Sequence, residues 1–362
     1  MRQRVVRIFH GGVVDRYQRR DEELAADCDV LLIVPDRYRE LPTMTHGKPR
    51  QSGRLTVATC PTRGPLRNPL WSYDVRALAK LLGHFNPTII DIHEEPYSLA
   101  MGSVLWAAPK TTPIIFRSSQ NVEKRYPPPF KWIEARAYMR SSAAYVPSHQ
   151  ASDVLRSKGY NRAIHIVPNG VELPSADSVG YDVHSPRSIV FAGRYTERKG
   201  LHDLIKAASG LELDLHFAGG ESELVRGSGW QDHGVLPYQA LTELYRRCDA
   251  ICVPSRVMPR WSEQFCRSLA EAMGYGLLPI VSTSGALSDV AGRDAITFSA
   301  NSPSSLRASL EHFIEMPEPL LAEKRRKAAE HARQYSWSAT SKQLLEIYEG
   351  VLKPVGANRL NS

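Results

Sequence analysis

Ile189-Val-Phe-Ala-Gly-Arg-Tyr-Thr-Glu-Arg-Lys-Gly200 is the stretch on which the fold reading turns. Its first four residues, Ile189–Ala192, read as a strand buried on both faces, and Gly193 permits a tight turn out of it. An amphipathic run, Leu201–Ala208, follows, and then a second apolar run, Leu213–Ala218. Strand, loop, helix and strand in that order are the βαβ unit of a parallel sheet.

The alternation continues on both sides. Downstream, Ala250–Val253, Leu278–Val281 and Ala295–Phe298 read as strands, with Ala240–Arg247, Arg267–Tyr275 and Pro303–Glu315 as helices. Upstream, seven runs read as strands buried on both faces: Val5–Phe9, Val30–Val34, Leu55–Ala58, Ile89–Ile92, Ile114–Phe116, Ala144–Val146 and Ile164–Val167. Asp74–Phe85 and Phe130–Ser141 are amphipathic helices between them. The turn Pro168-Asn-Gly170 and the Ser-, Pro-, Asp- and Gly-rich Leu173–Arg187 interrupt the pattern and mark the domain boundary. A chain of 362 residues suits two such domains. The tail from about Glu323 to Leu352 is helical in composition, broken near Ser336-Trp337. The fold class expected is therefore α/β, with two Rossmann-like parallel-sheet domains and a cleft between them. Ligands of such sheets bind at the carboxyl ends of the strands.

The formal net charge of +8 favours anionic partners such as nucleotides and lipid headgroups. No zinc-finger or ribonucleoprotein motif supports nucleic acid. Five cysteines without CxxC spacing read as buried thiols of a reducing compartment. No apolar run reaches membrane-span length and Met1–Phe9 lacks a signal core, so a cytoplasmic protein is expected. The basic charge leaves open peripheral contact with the inner face of a membrane. Tyr126-Pro-Pro-Pro-Phe130 with Lys131 and Trp132 is the segment to touch lipid, or else a plain surface loop.

Candidate chemistry lies in the loops after strands. Glu263-Gln-Phe-Cys-Arg-Ser-Leu-Ala-Glu271 follows a strand and a loop with two prolines, and runs into a helix from about Arg267. A helix N-terminus offers unpaired N–H groups and partial positive charge, a seat for a diphosphate. Glu263 and Glu271 flank that seat and can accept hydrogen bonds from sugar and ribose hydroxyls. Arg194 and Lys199 can clamp the diphosphate and stabilise charge on a leaving nucleotide. Gly12, after the first strand, lets backbone approach a phosphate or an acceptor. Gly219 and Val235 lie where backbone can meet a base. His93, at the end of Ile89–Ile92, either contacts the sugar or is a hydrogen-bonded structural residue. No GxGxxG follows a strand, and no Walker lysine is present.

In order and spacing these motifs resemble the family 4 glycosyltransferases, retaining enzymes of the GT-B fold, over nearly the whole chain. The resemblance rests on Gly11-Gly12, His93-Glu-Glu-Pro96, Pro168-Asn-Gly-Val-Glu172, Gly193-Arg194 with Lys199-Gly200, Gly219-Gly220, and Glu263–Glu271 with Ala272-Met273 and Gly276. It implies an acceptor domain at 1–168, a linker at 169–187, a nucleotide-sugar domain at 188–335 and a C-terminal helix, 336–362, crossing back to the first. Glu263 and His93 become the catalytic residues, and Arg194, Lys199 and Gly12 bind diphosphate. Glu271 binds ribose, and Gln264, Phe265, Cys266 and Arg267 offer backbone to the donor sugar. Such enzymes move a hexose from a UDP- or GDP-sugar to a glycan, lipid-linked or small-molecule acceptor. No cofactor or metal is expected, and no dedicated side-chain base. Two positions depart from the family, which often has glycine where this chain has Gln264 and Cys266. A non-catalytic nucleotide-sugar-binding protein and a GT-B-like epimerase are the alternatives.

Overall fold

The computed structural model describes residues 2–40, 43–184, 186–227 and 229–353. The chain forms two compact units: Met1–Pro168 joined by the stretch from Trp337, and Asn169–Ser336.

The first unit is built on an eight-stranded sheet. Its order is Ala163–Ile166, Ala143–Val146, Ile114–Arg117, Ile89–Ile92, Arg4–Ile8, Asp29–Pro35, Leu55–Cys60 and Arg50–Ser52. All neighbours pair in parallel except Arg50–Ser52 with Leu55–Cys60. The central strands are Val- and Ile-rich because both faces are covered. Helix starts are fixed locally: the side chains of Asp74, Ser98 and Ser148 accept hydrogen bonds from the backbone N–H of Ala77, Met101 and Ala151. Several elements differ from the sequence reading. Ala163–Ile166 is an edge strand and largely exposed, not buried on both faces. Leu99–Ala107 is a helix that sequence periodicity did not reveal, because it is apolar nearly all round. Arg50–Ser52 and the ribbon Arg37–Glu40 with Thr43–His46 are short polar strands with no apolar signature.

A buried polar network sits under this sheet. Asp91 accepts hydrogen bonds from Arg7 Nε (2.9 Å), Tyr145 Oη (2.9 Å) and Tyr348 Oη (2.7 Å). Arg7 also donates to Asp21 at 2.7 Å. Tyr348 belongs to the helix Trp337–Leu352, whose Leu344, Ile347 and Tyr348 complete the same unit's core. A buried carboxylate with three donors is satisfied rather than orphaned.

The second unit holds a six-stranded, all-parallel sheet ordered Gln231–Asp232, Leu213–Ala218, Arg187–Ala192, Ala250–Val253, Leu278–Ser282 and Ile296–Phe298. Helices Leu201–Ala208, Tyr238–Arg246 and Arg267–Gly274 connect strands, and Pro303–Glu315 follows the last strand. The five cysteines are buried and unpaired, and burial pushes the Cys28 and Cys60 thiols up to about 12. No helix among the described residues is long and apolar enough to cross a membrane.

Candidate active site

In the second unit, the loops that follow neighbouring parallel strands converge on Glu263. Its carboxylate, buried in the loop after Ala250–Val253, accepts Lys199 Nζ at 2.5 Å and Ser255 Oγ at 3.0 Å. Its backbone O accepts Ala286 N at 2.9 Å. Ser282 Oγ donates to Ser255 O at 2.5 Å and Ser284 Oγ to Arg256 O at 3.0 Å. Two serines thus stitch the Glu263 loop to the loop after Leu278–Ser282. Gly285 completes the seam: its φ is +59°, and a Cβ there would run into the Glu263 backbone carbonyl. Only glycine meets both demands.

Lys199 is itself mostly covered, with 17% of its side chain exposed. Burial disfavours its charge, but Cys266 and Glu263 outweigh burial and hold the ammonium above the ordinary lysine range. Trp261 adds a ring 5.9 Å from Nζ and 5.2 Å from the Arg198 guanidinium. The predicted diphosphate cation and the predicted catalytic carboxylate therefore hold each other.

Arg267–Gly274 begins at Cys266, which offers no oxygen to cap the first-turn amides. The Cys266 side chain packs in the apolar core, and Ser268 Oγ ties the helix start to Ala192 O at 2.7 Å. Phe265 is likewise buried, stacked edge-on against Tyr335. The Gln264 side chain is exposed, and Arg267 half-buried. Glu271 lies a turn further in, half-buried near Tyr238 and Tyr245, whose hydroxyls are held above the tyrosine range first by burial and then by this carboxylate. Arg194 stands exposed after Arg187–Ala192 and makes no ion pair among the described residues. Gly219, at φ +124°, presses against Gly193 and donates its N–H to Gly234 O at 2.7 Å. Val235, one residue on, is exposed.

In the first unit, His93 follows Ile89–Ile92 and stacks on Phe9 with centroids 4.1 Å apart and planes 17° apart. Arg7 Nη2 lies 3.4 Å from His93 Nδ1. A guanidinium only donates, so Nδ1 accepts and the ring proton belongs on Nε2. Burial, then Arg117, Arg20 and Arg7, hold the imidazole well below its usual pKa. Both effects favour a neutral ring with its proton on Nε2. Gly12 is buried, and a Cβ there would press on Val34 and Leu32, so packing alone demands glycine. Glu94, part of the His93-Glu-Glu-Pro96 motif, had no role of its own in the sequence reading. It is buried and accepts His10 N (2.8 Å), His10 Nδ1 (2.7 Å) and Tyr73 Oη (3.1 Å).

Residues 10–174 match the family described as Glycosyltransferase Family 4, and residues 182–335 the family described as Glycosyl transferases group 1. The chain belongs to the family 4 glycosyltransferases. Relatives of this glycosyltransferase include the glycogen synthase of Thermodesulfovibrio yellowstonii, 30% identical over 187 residues, which are 45% of this chain and 35% of that protein. The phosphatidyl-myo-inositol mannosyltransferase of Mycobacterium leprae is 28% identical over 204 residues, 51% of this chain and 53% of that one. The match thus spans about a third to a half of the length of these curated relatives. Among solved structures, sucrose-phosphate synthase from Thermosynechococcus elongatus superposes with a TM-score of 0.71 at 17% identity, covering 97% of this chain and 99% of that one. Anabaena HepE, in complex with UDP and glucose, gives 0.68 at 13%, covering 96% and 100%. The fold of this glycosyltransferase is accordingly GT-B.

Proposed function

We propose that this glycosyltransferase transfers a hexose from a UDP- or GDP-sugar to a glycan, glycolipid or small-molecule acceptor, with retention of anomeric configuration. The observation that carries the reading is the Lys199–Glu263 pair, held at 2.5 Å beside a helix whose cap residue, Cys266, carries no side-chain oxygen. The first-turn amides of Arg267–Gly274 and the cations Arg194 and Lys199 are the right groups for a diphosphate, and they strengthen as charge grows on the leaving nucleotide. Glu263 accepts donor-sugar hydroxyls, Glu271 those of the ribose, and the Nε2–H of His93 donates to a sugar oxygen. Two protein cations do the neutralising, so transfer proceeds without metal. A neighbour of the same fold binds UDP and glucose, in keeping with a nucleotide-sugar donor. Relatives named for glycogen and for phosphatidyl-myo-inositol bracket glycan and lipid acceptors. The setting is the cytoplasm, with peripheral contact at a membrane surface.

The test is a thermal-shift screen of UDP-, GDP-, ADP- and TDP-sugars, because a ligand that binds only the folded state raises Tm. The stabilising donor is then followed by NMR with and without chelator. Release of sugar with inverted configuration, or activity abolished by chelator and restored by magnesium, would overturn the corresponding part. Absence of any stabilising donor would overturn the whole.

A further inference from the structure

We propose that one face of the first unit, formed by the helices Leu99–Ala107 and Phe130–Arg140, is a docking surface for an anionic lipid membrane. The starting observation is apolar exposure where it has no structural use. Trp106 is 78% exposed, Trp132 65% and Met139 69%. Tryptophan of this exposure is rare on a soluble surface, since the ring is large and apolar.

The three side chains lie on two helices that pack against each other. Gly102 packs on Ile133, where a Cβ would lie 3.3 Å from Cδ1, so the two helices touch along that line. Trp106 is four residues beyond Gly102 and therefore one turn along the same side. Arg140 Nη2 donates to Pro109 O and Thr112 O, both at 2.8 Å, fixing the end of one helix to the turn after the other. On Phe130–Arg140 the exposed positions are 131, 132, 135, 136 and 139; the last four form an i, i+3, i+4, i+7 stripe, with Lys131 beside it.

Cations surround this stripe. Lys110, Lys131, Arg136, Arg140 and Arg162 border it, and Arg162 Nη2 lies 3.1 Å from Met139 O. Among the described residues none of these five has an ion-pair partner. The one carboxylate of the helix, Glu134, is turned inward and taken by Lys158 at 2.5 Å. No acidic residue occurs between Glu95 and Glu123. Arg136 and Arg140 stand four apart on one helix, a like-charge spacing that disfavours the helix unless an anion faces it. The second unit's exposed helix Glu318–Ala332 shows the contrast, pairing Arg326 with Glu330 and Lys327 with Glu323. Amphipathic indoles interleaved with unpaired cations are the composition of an interfacial surface. A protein partner would need acids matched one by one to these cations, whereas an anionic lipid layer supplies mobile charge to all five. The inference names the partner in the peripheral contact proposed above and rests on that reading for its purpose only.

The test is flotation of the full chain with vesicles of phosphatidylcholine, alone or mixed with phosphatidylglycerol, across a sodium chloride series. Wild type is expected to float with the mixed vesicles, to lose them as salt rises, and to stay behind with neutral ones. Arg136→Glu changes the face by two charges and is expected to weaken partition about twenty-five-fold, from roughly fivefold per charge. Trp106→Ser with Trp132→Ser is expected to abolish stable association, with an unchanged circular dichroism spectrum. Failure of wild type to float, or equal flotation on neutral vesicles, overturns the proposal. So does a dimer that the double variant turns to monomer without either protein binding lipid. Donor hydrolysis in solution is read in parallel: its absence counts against the transferase reading and leaves the flotation result intact.

Discussion

Lys199→Met should expose how strongly the centre of the second unit depends on one ion pair. At 2.5 Å, two unit charges attract by about 7 kcal/mol gross at an effective dielectric near 20. Desolvating both groups cancels much of this, so the net worth is far smaller. The single change is another matter, because it strands Glu263 in a buried site with Ser255 as its only remaining side-chain donor among the described contacts. An uncompensated buried charge costs about 3–5 kcal/mol. Partial exposure of both side chains brings the expectation for Lys199→Met toward the lower figure. Glu263→Gln keeps an oxygen for Lys199 and Ser255 and should cost about 1–2 kcal/mol. In the double variant the amide at position 263 is neutral, so the stranded charge vanishes and the costs do not add. The assay is urea unfolding of wild type, both singles and the double, with tryptophan emission as the signal. A coupling of about 1–3 kcal/mol is expected for groups in contact. Additivity to within about 0.5 kcal/mol would refute the reasoning, because independent sites behave that way.

Arg194→Ala should leave stability within about 0.5 kcal/mol, since the side chain is exposed, yet weaken donor binding tenfold or more by loss of a charge-assisted hydrogen bond of about 1.5–3 kcal/mol; calorimetry showing unchanged affinity would remove it from the diphosphate site. Gly285→Ala, at φ +59° with Glu263 O in the way, should cost at least about 2 kcal/mol from strain alone. A melting point equal to wild type would refute that seam. His93 supplies a pH dependence whose sign is fixed. Its native pKa is depressed, so below the unfolded value of about 6.5 the unfolded state holds the extra proton and stability falls. At pH 5.5, one unit below that unfolded value, its share is at most about 1.4 kcal/mol. His93→Gln should flatten the wild-type loss between pH 7.5 and 5.5 by up to that amount, as urea midpoints would report; an unchanged pH profile would refute it.

Much of the architecture was legible because parallel strands covered on both faces have to be continuous apolar runs. Ile189–Ala192 and Ala250–Val253 stand out for that reason. Leu99–Ala107 did not, since a helix buried nearly all round loses its period of 3.6 and looks like any apolar stretch. The edge strand Ala163–Ile166 had the right composition but not the right surroundings, and only sheet order sets those. At the site, Arg194, Lys199 and Glu263 were found by their charge and their place after strands. Ser255, Ser284, Gly285 and Trp261 were missed because their roles arise between loops of adjacent strands. The usable signal was the rule that neighbouring carboxyl-end loops meet, applied to Ser282–Gly285. Glu94 was in view beside His93, but its partners His10 and Tyr73 lie far off in sequence.

The tyrosine on the returning helix has a consequence for synthesis. Asp91 lacks its Tyr348 donor, and the core lacks Leu344 and Ile347, until residues beyond Trp337 leave the ribosome. The second unit is continuous from Asn169 to Ser336, so it can finish folding while the unit translated first is still open. Residues 171 and 336, where the chain leaves and returns, are bridged side by side, with Val171 N donating to Tyr335 O at 2.8 Å. Birth order and completion order are thus reversed. Nascent chains stalled soon after Ser336 should resist protease over 169–336 and be cut within 1–168, and full protection of both would show that the helix is dispensable for closing the first core.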